Sequence, residues 1–425
     1  MKRSLICFLL FSAAISLISP VTGAELQEEG ASLLEGRGDF ATTLSRQVRE
    51  EQALDASEDE AFSLVQYPTP LGDMAAYLSR PPETKGKHPA IIWLVGGFPP
   101  GGGGSWLWEP AARNNDQTAR AFREHGFVVM YPALRGFGGN PGFQESFYGE
   151  VNDVLAALDY LAQLDFVDSK RIFLGGHSTG GTLALLVAAA TDRFRAVFSF
   201  GPAARASEYS KEDLHYDVEN EREDRLRSPI EWLSSIQSPT WIVEGIPEGR
   251  MDSFYEMQDE CDNPKVRFIP VRRANHFNLL HPLTNHFAAS FAKKNNPAAA
   301  ELKQPKIQKA YDLFWHAQQE AEALQLLADL RIQGVAIDKP QVICFTLLDW
   351  IVDDLETTSK LAKQAGFQID PLESKVDRDG DEFFILEIRK TIRLQDLESL
   401  FRATKSVATW ASDRELFYRG WKVEA

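Results

Sequence analysis

The sequence is poor in cysteine and has no excess of positive charge. It contains 3 cysteines in 425 residues, and only Cys261 and Cys344 lie beyond the N-terminal region. Two cysteines so far apart do not form a disulfide framework, and their spacing gives no support to a metal site. The formal net charge of −16 argues against nonspecific binding to nucleic acid or to an anionic membrane, because like charges repel.

Long apolar runs are absent beyond the N-terminus. Two basic residues precede an apolar run from Leu5 to Ile18, and Pro20 and small residues follow it. This layout is typical of a secretory signal peptide, so we expect residues 1–24 to be removed and the protein to be exported to the periplasm or secreted. An uncleaved N-terminal anchor is the alternative, but the run is too short to span a bilayer comfortably. No stable membrane anchor is expected.

Residues 25–60 are predicted to form a peripheral arm, with a helix over Thr42 to Gln52. Strands and helices then alternate through residues 61–294. This alternation predicts a mostly parallel sheet with helices on both faces. A charged insertion at residues 203–237 separates two predicted core strands, in the position of a cap over an active site. Its Trp232 has two interpretations, as a pocket lining or as packing under the cap.

The pattern changes after a predicted linker at residues 295–307, which is rich in Asn, Pro, Ala and Lys. Residues 308–425 begin with a helical stretch from Tyr311 to Gln333. Predicted elements then follow in the order βαββαβ, with a turn at Asp377 to Gly380. This order is typical of a small ferredoxin-like α+β sandwich.

The segment that carries chemistry is Gly176-His-Ser-Thr-Gly180, which fits the pattern G-x-S-x-G. The pentapeptide alone recurs by chance. Here an apolar strand ends before it at Leu174, and a helix rich in Ala and Leu begins after Gly181. A strand–serine–helix turn exposes the hydroxyl at the carboxyl end of the sheet, beside a helix N-terminus. Ser178 is therefore the predicted nucleophile.

A serine nucleophile needs a base, and the chain order in such folds is serine, acid, histidine. His276 follows the last predicted strand by a short loop and is the predicted base, whereas His281 lies further on, toward the last helix. The acid is expected in the loop after the strand Thr240 to Glu244. Glu248 is the preferred candidate and Asp252 is the alternative.

The tetrahedral intermediate of acyl transfer needs backbone N–H donors. The amide of Thr179, directly after the nucleophile, is one candidate. The second is expected in the glycine-rich turn after the strand Ala90 to Val95, at Gly97 or Phe98. No metal or organic cofactor is required by this chemistry.

Residues Phe62 to Lys293 resemble the prolyl-oligopeptidase and dienelactone-hydrolase branch of the α/β hydrolases. The resemblance rests on four segments of the sequence. These are Tyr131–Gly139, Glu150–Gln163, Val167–Gly181 and Ala274–Phe277. It implies the α/β-hydrolase fold and a Ser-acid-His triad, with Glu248 at the position where that branch has Asp. The chain lacks the propeller domain of the oligopeptidases, which favours esterase or thioesterase activity over endopeptidase activity.

Residues Leu324 to Val423 resemble the protein regulator of ribonuclease E, type B. The resemblance rests on the segment Ala362 to Phe367, the turn at Asp377 to Gly380 and the end Tyr418-Arg-Gly-Trp421. It implies a possible protein partner for this domain. The family acts in the cytoplasm, so a signal peptide would separate this copy from that partner.

We therefore expect an exported serine hydrolase that cleaves an ester, a thioester or a small amide or peptide bond. Two alternatives stay open: a binding or regulatory protein that acts through its C-terminal domain, and a serine peptidase of the prolyl-oligopeptidase type. Trp106 and Trp108, beside the glycine-rich turn, either face substrate or pack on the surface.

Overall fold

The structure is a computed structural model. It describes residues 31–101, 103–293, 302–349, 351–376, 382–412, 414 and 416–424. The predicted signal peptide, the turn at Asp377 to Gly380 and residues 295–301 of the predicted linker lie outside the described residues.

The first unit is built on a sheet of eight strands in the order β1-β2-β4-β3-β5-β6-β7-β8. β1 and β2 form an antiparallel hairpin, β2 pairs antiparallel with β4, and every other pairing is parallel. The strands are β1 Phe62–Thr69, β2 Gly72–Ser79, β3 His88–Leu94, β4 Val128–Pro132, β5 Val167–His177, β6 Val197–Phe200, β7 Thr240–Glu248 and β8 Val266–Asn275. This is the α/β-hydrolase fold, as predicted.

Helices cover both faces of this sheet because each face is apolar along its central strands. The seven helices described for this unit are α1 Leu33–Arg37, α2 Arg120–Glu124, α3 Glu150–Gln163, α4 Thr179–Ala190, α5 Glu221–Arg225, α6 Met251–Glu260 and α7 Leu280–Ala292. α3, α4 and α6 pack into one hydrophobic cluster, and α2 and α7 pack into the cluster on the other face. β3 is buried along its whole length.

The order of the strands reverses between β3 and β5, which are neighbours in the middle of the sheet. In open α/β sheets, ligands bind outside the carboxyl ends of the strands at such a point. The loop after β3 and the turn after β5 therefore define the place where a site is expected.

The N-terminal arm lies across the cap rather than forming the predicted helix. Residues 42–52 are not helical, and Leu44 forms an isolated antiparallel bridge with Tyr216 of the insertion. The Thr43 amide donates to the buried carboxylate of Glu223 at 2.7 Å. These contacts with the cap outweigh local helix propensity, which is a weak determinant on its own.

The cap spans residues 203–237 with little regular structure apart from α5 and short 3₁₀ turns. Trp232 is 2% exposed and fills the space next to Gly36 of the arm, where an added Cβ would overlap its ring. Of its two interpretations, the structure therefore shows packing under the cap.

The C-terminal sheet is antiparallel, in the order β10-β12-β9-β13, with β11 also pairing with β12. Its elements are β9 Pro340–Asp349, α9 Val352–Gln364, β10 Gln368–Ile369, β11 Glu373–Val376, β12 Glu382–Arg393, α10 Leu397–Ser412 and β13 Phe417–Val423. The two helices cover one face of the sheet. This arrangement is the predicted ferredoxin-like sandwich.

One long helix, α8 Gln304–Ile332, joins the two units. It begins earlier than the predicted Tyr311. Its first half, with Ile307, Tyr311 and Trp315, packs into the core of the hydrolase unit. Its second half, with Leu327 and Leu330, packs into the core of the C-terminal unit. Among the described residues, no helix has the length and apolar content to span a membrane.

Candidate active site

Ser178 stands on a strained turn between β5 and α4. Its backbone has φ 53 and ψ −119, a left-handed conformation that a residue with a Cβ adopts at a cost. Glycines flank it because the backbone is crowded: a Cβ on Gly176 would overlap the carbonyl of Gly180, and a Cβ on Gly180 would overlap that of Leu94. The Ser178 amide donates to the Phe200 carbonyl at 2.8 Å. The serine is thus held at the carboxyl edge of the sheet.

His276 lies at the same edge, directly after β8. Its ring centroid is 4.6 Å from that of His177, the residue before Ser178. Its ring also lies next to Gly201. Gly201 follows Phe200, the strand residue whose carbonyl accepts the hydrogen bond from the Ser178 amide. Within the described part of the chain, His276 Nε2 has no hydrogen-bond partner. The structure therefore brings Ser178 and His276 together and leaves Nε2 available.

The carboxylate that contacts His276 belongs to Glu244. His276 Nδ1 lies 3.1 Å from Glu244 Oε2. Oε2 also accepts from the Arg250 amide at 2.9 Å, and Oε1 accepts from the Gly245 amide at 2.7 Å. Glu244 is 1% exposed. Buried charges are found where they are paired and hydrogen-bonded, and this set of donors meets that requirement.

The sequence predicted Glu248, with Asp252 as the alternative, at this position; the carboxylate that the structure places on His276 Nδ1 is instead that of Glu244. The prediction assumed that the strand ends near Glu244 and that the acid lies in a following loop. β7 instead continues to Glu248, which pairs with Asn275 of β8. Asp252 is an exposed residue in the first turn of α6. The signal that sequence reasoning missed was a single acid within the apolar segment Trp241–Ile246, where a charge needs a partner.

Two glycines leave room for the pair of His276 and Glu244. A Cβ added to Gly201 would lie 2.6 Å from His276 Nδ1 and 2.9 Å from Glu244 Oε2. A Cβ added to Gly249 would lie 2.5 Å from Glu244 Oε1. Real Cβ atoms do not approach other atoms so closely, so a side chain at either position would displace the pair.

We expect the substitution Gly201→Ala to lower the rate of hydrolysis by about 100-fold, because displacing a reacting group by about 1 Å costs that much. The measurement is kcat for an activated ester. The matched control is Gly126→Ala. Gly126 also has a positive φ of 83, but a Cβ there meets nothing within 4 Å. Equal losses in both variants would mean that backbone strain, not the contact with His276, causes the effect.

The loop after β3 lies against Ser178. A Cβ on Gly96 would sit 3.1 Å from Ser178 Cβ. The Thr179 hydroxyl donates to the Gly97 carbonyl at 2.5 Å, and because the next peptide is planar and trans, the Phe98 N–H points the opposite way. Among the described residues, the amides of Phe98 and Thr179 have no acceptor. The amides of Thr179 and of Gly97 or Phe98 therefore remain the predicted donors.

His177 is a residue whose role sequence reasoning missed. Burial lowers the pKa of His177 to about 3, and the nearby His276 lowers it further. The ring is therefore neutral, and its Nε2 donates to the His276 carbonyl at 2.9 Å. His177 thus links the turn that carries Ser178 to the backbone around His276. We call residues 272–278, which include the end of β8, the histidine loop.

Helix α8 holds the other side of the histidine loop. The Tyr311 hydroxyl donates to the Arg273 carbonyl at 2.6 Å. The Gln308 side chain accepts from the Arg272 amide at 2.9 Å and donates to the Arg272 carbonyl at 3.2 Å. Arg273 has a positive φ of 70, so this is a strained turn that needs external support. Such contacts between distant parts of the chain left no signal in the sequence.

A cavity of about 460 Å³ opens beside Gly96 and is lined by Trp106, Glu109, Asn115 and Gln117 among others. Trp106 is 41% exposed there. Trp108 instead packs against Tyr77, with ring centroids 4.9 Å apart. The two interpretations of these tryptophans therefore apply to one residue each. Trp106 faces the cavity, and Trp108 packs against its neighbours.

Among the described residues, no cluster of three potential metal ligands is found near Ser178. Cys344, Glu387 and Glu424, in the C-terminal unit, have ligand atoms within 4.8 Å of one another. Arg389 bonds both carboxylates at 2.7 Å, so this cluster is already paired.

One family model matches part of the hydrolase unit. The family model of the prolyl oligopeptidase family matches residues 114–241, which include Ser178 but cover less than a third of the chain. No curated protein matches the sequence. The fold, the serine motif and the site together are those of a serine hydrolase.

Solved structures resemble the hydrolase unit at low identity. A 2,6-dihydroxy-pseudo-oxynicotine hydrolase is 18% identical with a TM-score of 0.42, and the match covers 54% of this chain and 67% of that one. A Mycobacterium tuberculosis puromycin-hydrolyzing peptidase is 19% identical with a TM-score of 0.45, covering 56% and 40%. A Pyrococcus furiosus esterase is 14% identical with a TM-score of 0.43, covering 58% and 96%.

Proposed function

We propose that the protein hydrolyses an ester, a thioester or a small amide or peptide bond through an acyl-enzyme on Ser178. The single observation that carries the proposal is the contact of buried Glu244 with His276 Nδ1 at 3.1 Å, beside the strained turn of Ser178. A nucleophile, a base and an orienting acid in this relation form the arrangement of a serine hydrolase triad.

In the first half-reaction, Ser178 Oγ attacks the carbonyl carbon of the substrate and passes its proton to His276 Nε2. The tetrahedral oxyanion accepts hydrogen bonds from the amides of Thr179 and Phe98 or Gly97. The bond to the leaving group then breaks, and the leaving group takes the proton from His276. The negative charge of Glu244 stabilises the imidazolium that exists between these two transfers.

In the second half-reaction, His276 removes a proton from water, and the hydroxyl oxygen attacks the acyl carbon. The bond to Ser178 Oγ breaks, and Ser178 recovers its proton from His276. The products are a carboxylic acid and the alcohol, thiol or amine released earlier. No oxidant, reductant or metal enters this balance.

The cavity beside Gly96 is the proposed place for part of the substrate. It borders Ser178 through Gly96, and Trp106 offers an exposed aromatic surface at its rim. Pockets of this size bind small molecules or short chain ends. The cavity thus favours a small substrate over the interior of a folded protein.

A fluorophosphonate probe tests the proposal, because it phosphonylates only an activated serine. We expect the full chain to be labelled and the variant Ser178→Ala to remain unlabelled, with intact mass as the measurement. Absence of label on the parent protein would contradict the proposal and favour the binding-protein alternative.

A substrate panel separates the two classes of hydrolase. p-Nitrophenyl esters and acyl thioesters test the esterase prediction, and aminoacyl and dipeptidyl amides test the peptidase alternative that the family match supports. We expect the highest kcat/KM on an ester or a thioester. A higher value on an amide would assign peptidase activity to the same site.

A further inference from the structure

A second cavity, of about 190 Å³, lies against the histidine loop. Its wall comes from three parts of the chain. Arg273 and Asn275 lie at the end of β8 and Asn278 follows His276, whereas Gln319 belongs to α8 and Tyr418 to β13. The cavity exists only because the C-terminal unit packs against the loop.

The hydroxyl of Tyr418 is buried and has no hydrogen-bond partner among the described residues. Burial raises the pKa of Tyr418 far above its usual range, so the group keeps its proton and is a hydrogen-bond donor. A buried donor without an acceptor is costly. An acceptor atom in the cavity would remove that cost.

The two asparagines of the wall also offer donors. Asn275 Oδ1 accepts from the amides of Phe277 and Asn278 at 3.0 and 2.9 Å. Asn278 Oδ1 accepts from the Asn275 amide at 2.9 Å and lies 3.1 Å from the oxygen of Tyr311, whose proton goes to the Arg273 carbonyl. These bonds fix the oxygens on the side of the backbone amides, and neither NH₂ group forms a hydrogen bond with a described residue, so both remain as donors for a ligand.

Arg273 is the only charged residue among the described residues that line the cavity. Its side chain is 12% exposed, and Asp312 lies 3.8 Å from its Nη1. Two acidic residues lie nearby but do not line the cavity. They are Asp312 and Glu322, and the charge of Glu322 contributes to the raised pKa of Tyr418. A guanidinium, a phenol and two amide groups together suit a ligand that accepts hydrogen bonds and carries negative charge.

We propose that this cavity binds a small organic carboxylate and that its occupancy acts on His276. The acidic neighbours Asp312 and Glu322 limit the affinity. Two of the donors, Asn275 and Asn278, flank His276 closely in the chain, so a ligand that they hold also holds the base. The binding is independent of the proposed function, whereas its effect on activity rests on it.

Calorimetric titration of the full chain tests the binding, with butyrate as the probe. The protein carries Ser178→Ala, so that turnover cannot contribute. We expect butyrate to bind this variant, and Tyr418→Phe added to it to weaken binding at least tenfold. The matched control is Tyr160→Phe, because the half-buried Tyr160 hydroxyl forms no hydrogen bond with a described residue. Equal affinity in the Tyr418 and Tyr160 variants, or no heat in any of them, overturns the proposal.

The neutral amide butyramide tests the charge requirement, and we expect it to bind at least tenfold more weakly than butyrate. Comparable binding of the two ligands overturns the assignment to carboxylates. Tyr418→Phe removes no native hydrogen bond, so its melting temperature should equal or exceed that of the parent. If that variant does not fold, Asn278→Asp serves instead: it keeps the Oδ1 acceptor, replaces the NH₂ donor with negative charge, and should abolish binding.

The effect on His276 is measured as the rate of fluorophosphonate labelling of the parent protein. We expect saturating butyrate to raise this rate at least twofold, and to leave it unchanged in Tyr418→Phe. An equal response in both contradicts the link to His276. If the parent is never labelled, the proposed function fails, but the calorimetric result still decides whether the cavity binds carboxylates.

Discussion

Replacing Ser178 by alanine is expected to lower kcat for the best ester of the panel by about 10⁶-fold, the loss seen when the serine of a protease triad is removed. The substitution removes the atom that forms the acyl-enzyme and leaves the fold around it intact. KM should change little, because the cavity beside Gly96 and the oxyanion donors remain. The measurement is steady-state kinetics with the melting temperature as a check on folding.

The residual activity of this variant is itself informative. Backbone donors and binding alone give about 10³–10⁴-fold acceleration over water when a triad is removed. The amides of Thr179 and Phe98 should still supply this. The matched control is Ser207→Ala, an exposed serine of the cap that bonds Asp224 at 3.0 Å. Its kcat should equal that of the parent, and a Ser178 variant that is equally active would remove the nucleophile from the proposal.

Sequence reasoning located Ser178 because the information is local. A strand, a glycine-flanked serine and a helix of small residues are consecutive in the chain. The flanking glycines are needed because backbone atoms lie too close to them for a Cβ. His276 was located by its order in the chain after the last strand. The C-terminal sheet was predicted for a similar reason, since its alternation of strands and helices is visible without knowledge of the contacts.

The acid was missed because its identity depends on where β7 ends. Element boundaries are the least certain part of a sequence-based prediction, and here pairing with β8 extends the strand to Glu248. The support of the histidine loop by α8 was missed for another reason. Gln308 and Tyr311 contact Arg272 and Arg273, whereas the sequence predicted the helical stretch from Tyr311 as the start of a separate domain beyond a linker at residues 295–307.

The position of Glu244 leads to the second large effect: Glu244→Gln is expected to lower kcat by about 10⁴-fold, as the corresponding Asp→Asn change in the triad of a serine protease does. Glutamine has nearly the shape of glutamate but carries no charge. It cannot stabilise the imidazolium of His276, and its NH₂ group can impose the wrong tautomer on the ring. The measurement is kcat and kcat/KM on the ester that the parent cleaves best.

Glu248→Gln is the matched control, because it makes the same chemical change four residues further along the same strand. We expect its kcat/KM to stay within about twofold of the parent, since the carboxylate that contacts His276 Nδ1 is that of Glu244 and is unchanged in this variant. Glu244→Asp should fall between the two: it keeps the charge, but its shorter side chain loses reach toward Nδ1 and toward the amides of Gly245 and Arg250. If instead Glu248→Gln shows the large loss and Glu244→Gln does not, the acid of the triad is Glu248. Glu244 would then be a buried structural acid. The two single substitutions therefore assign the third member of the triad without further structural work.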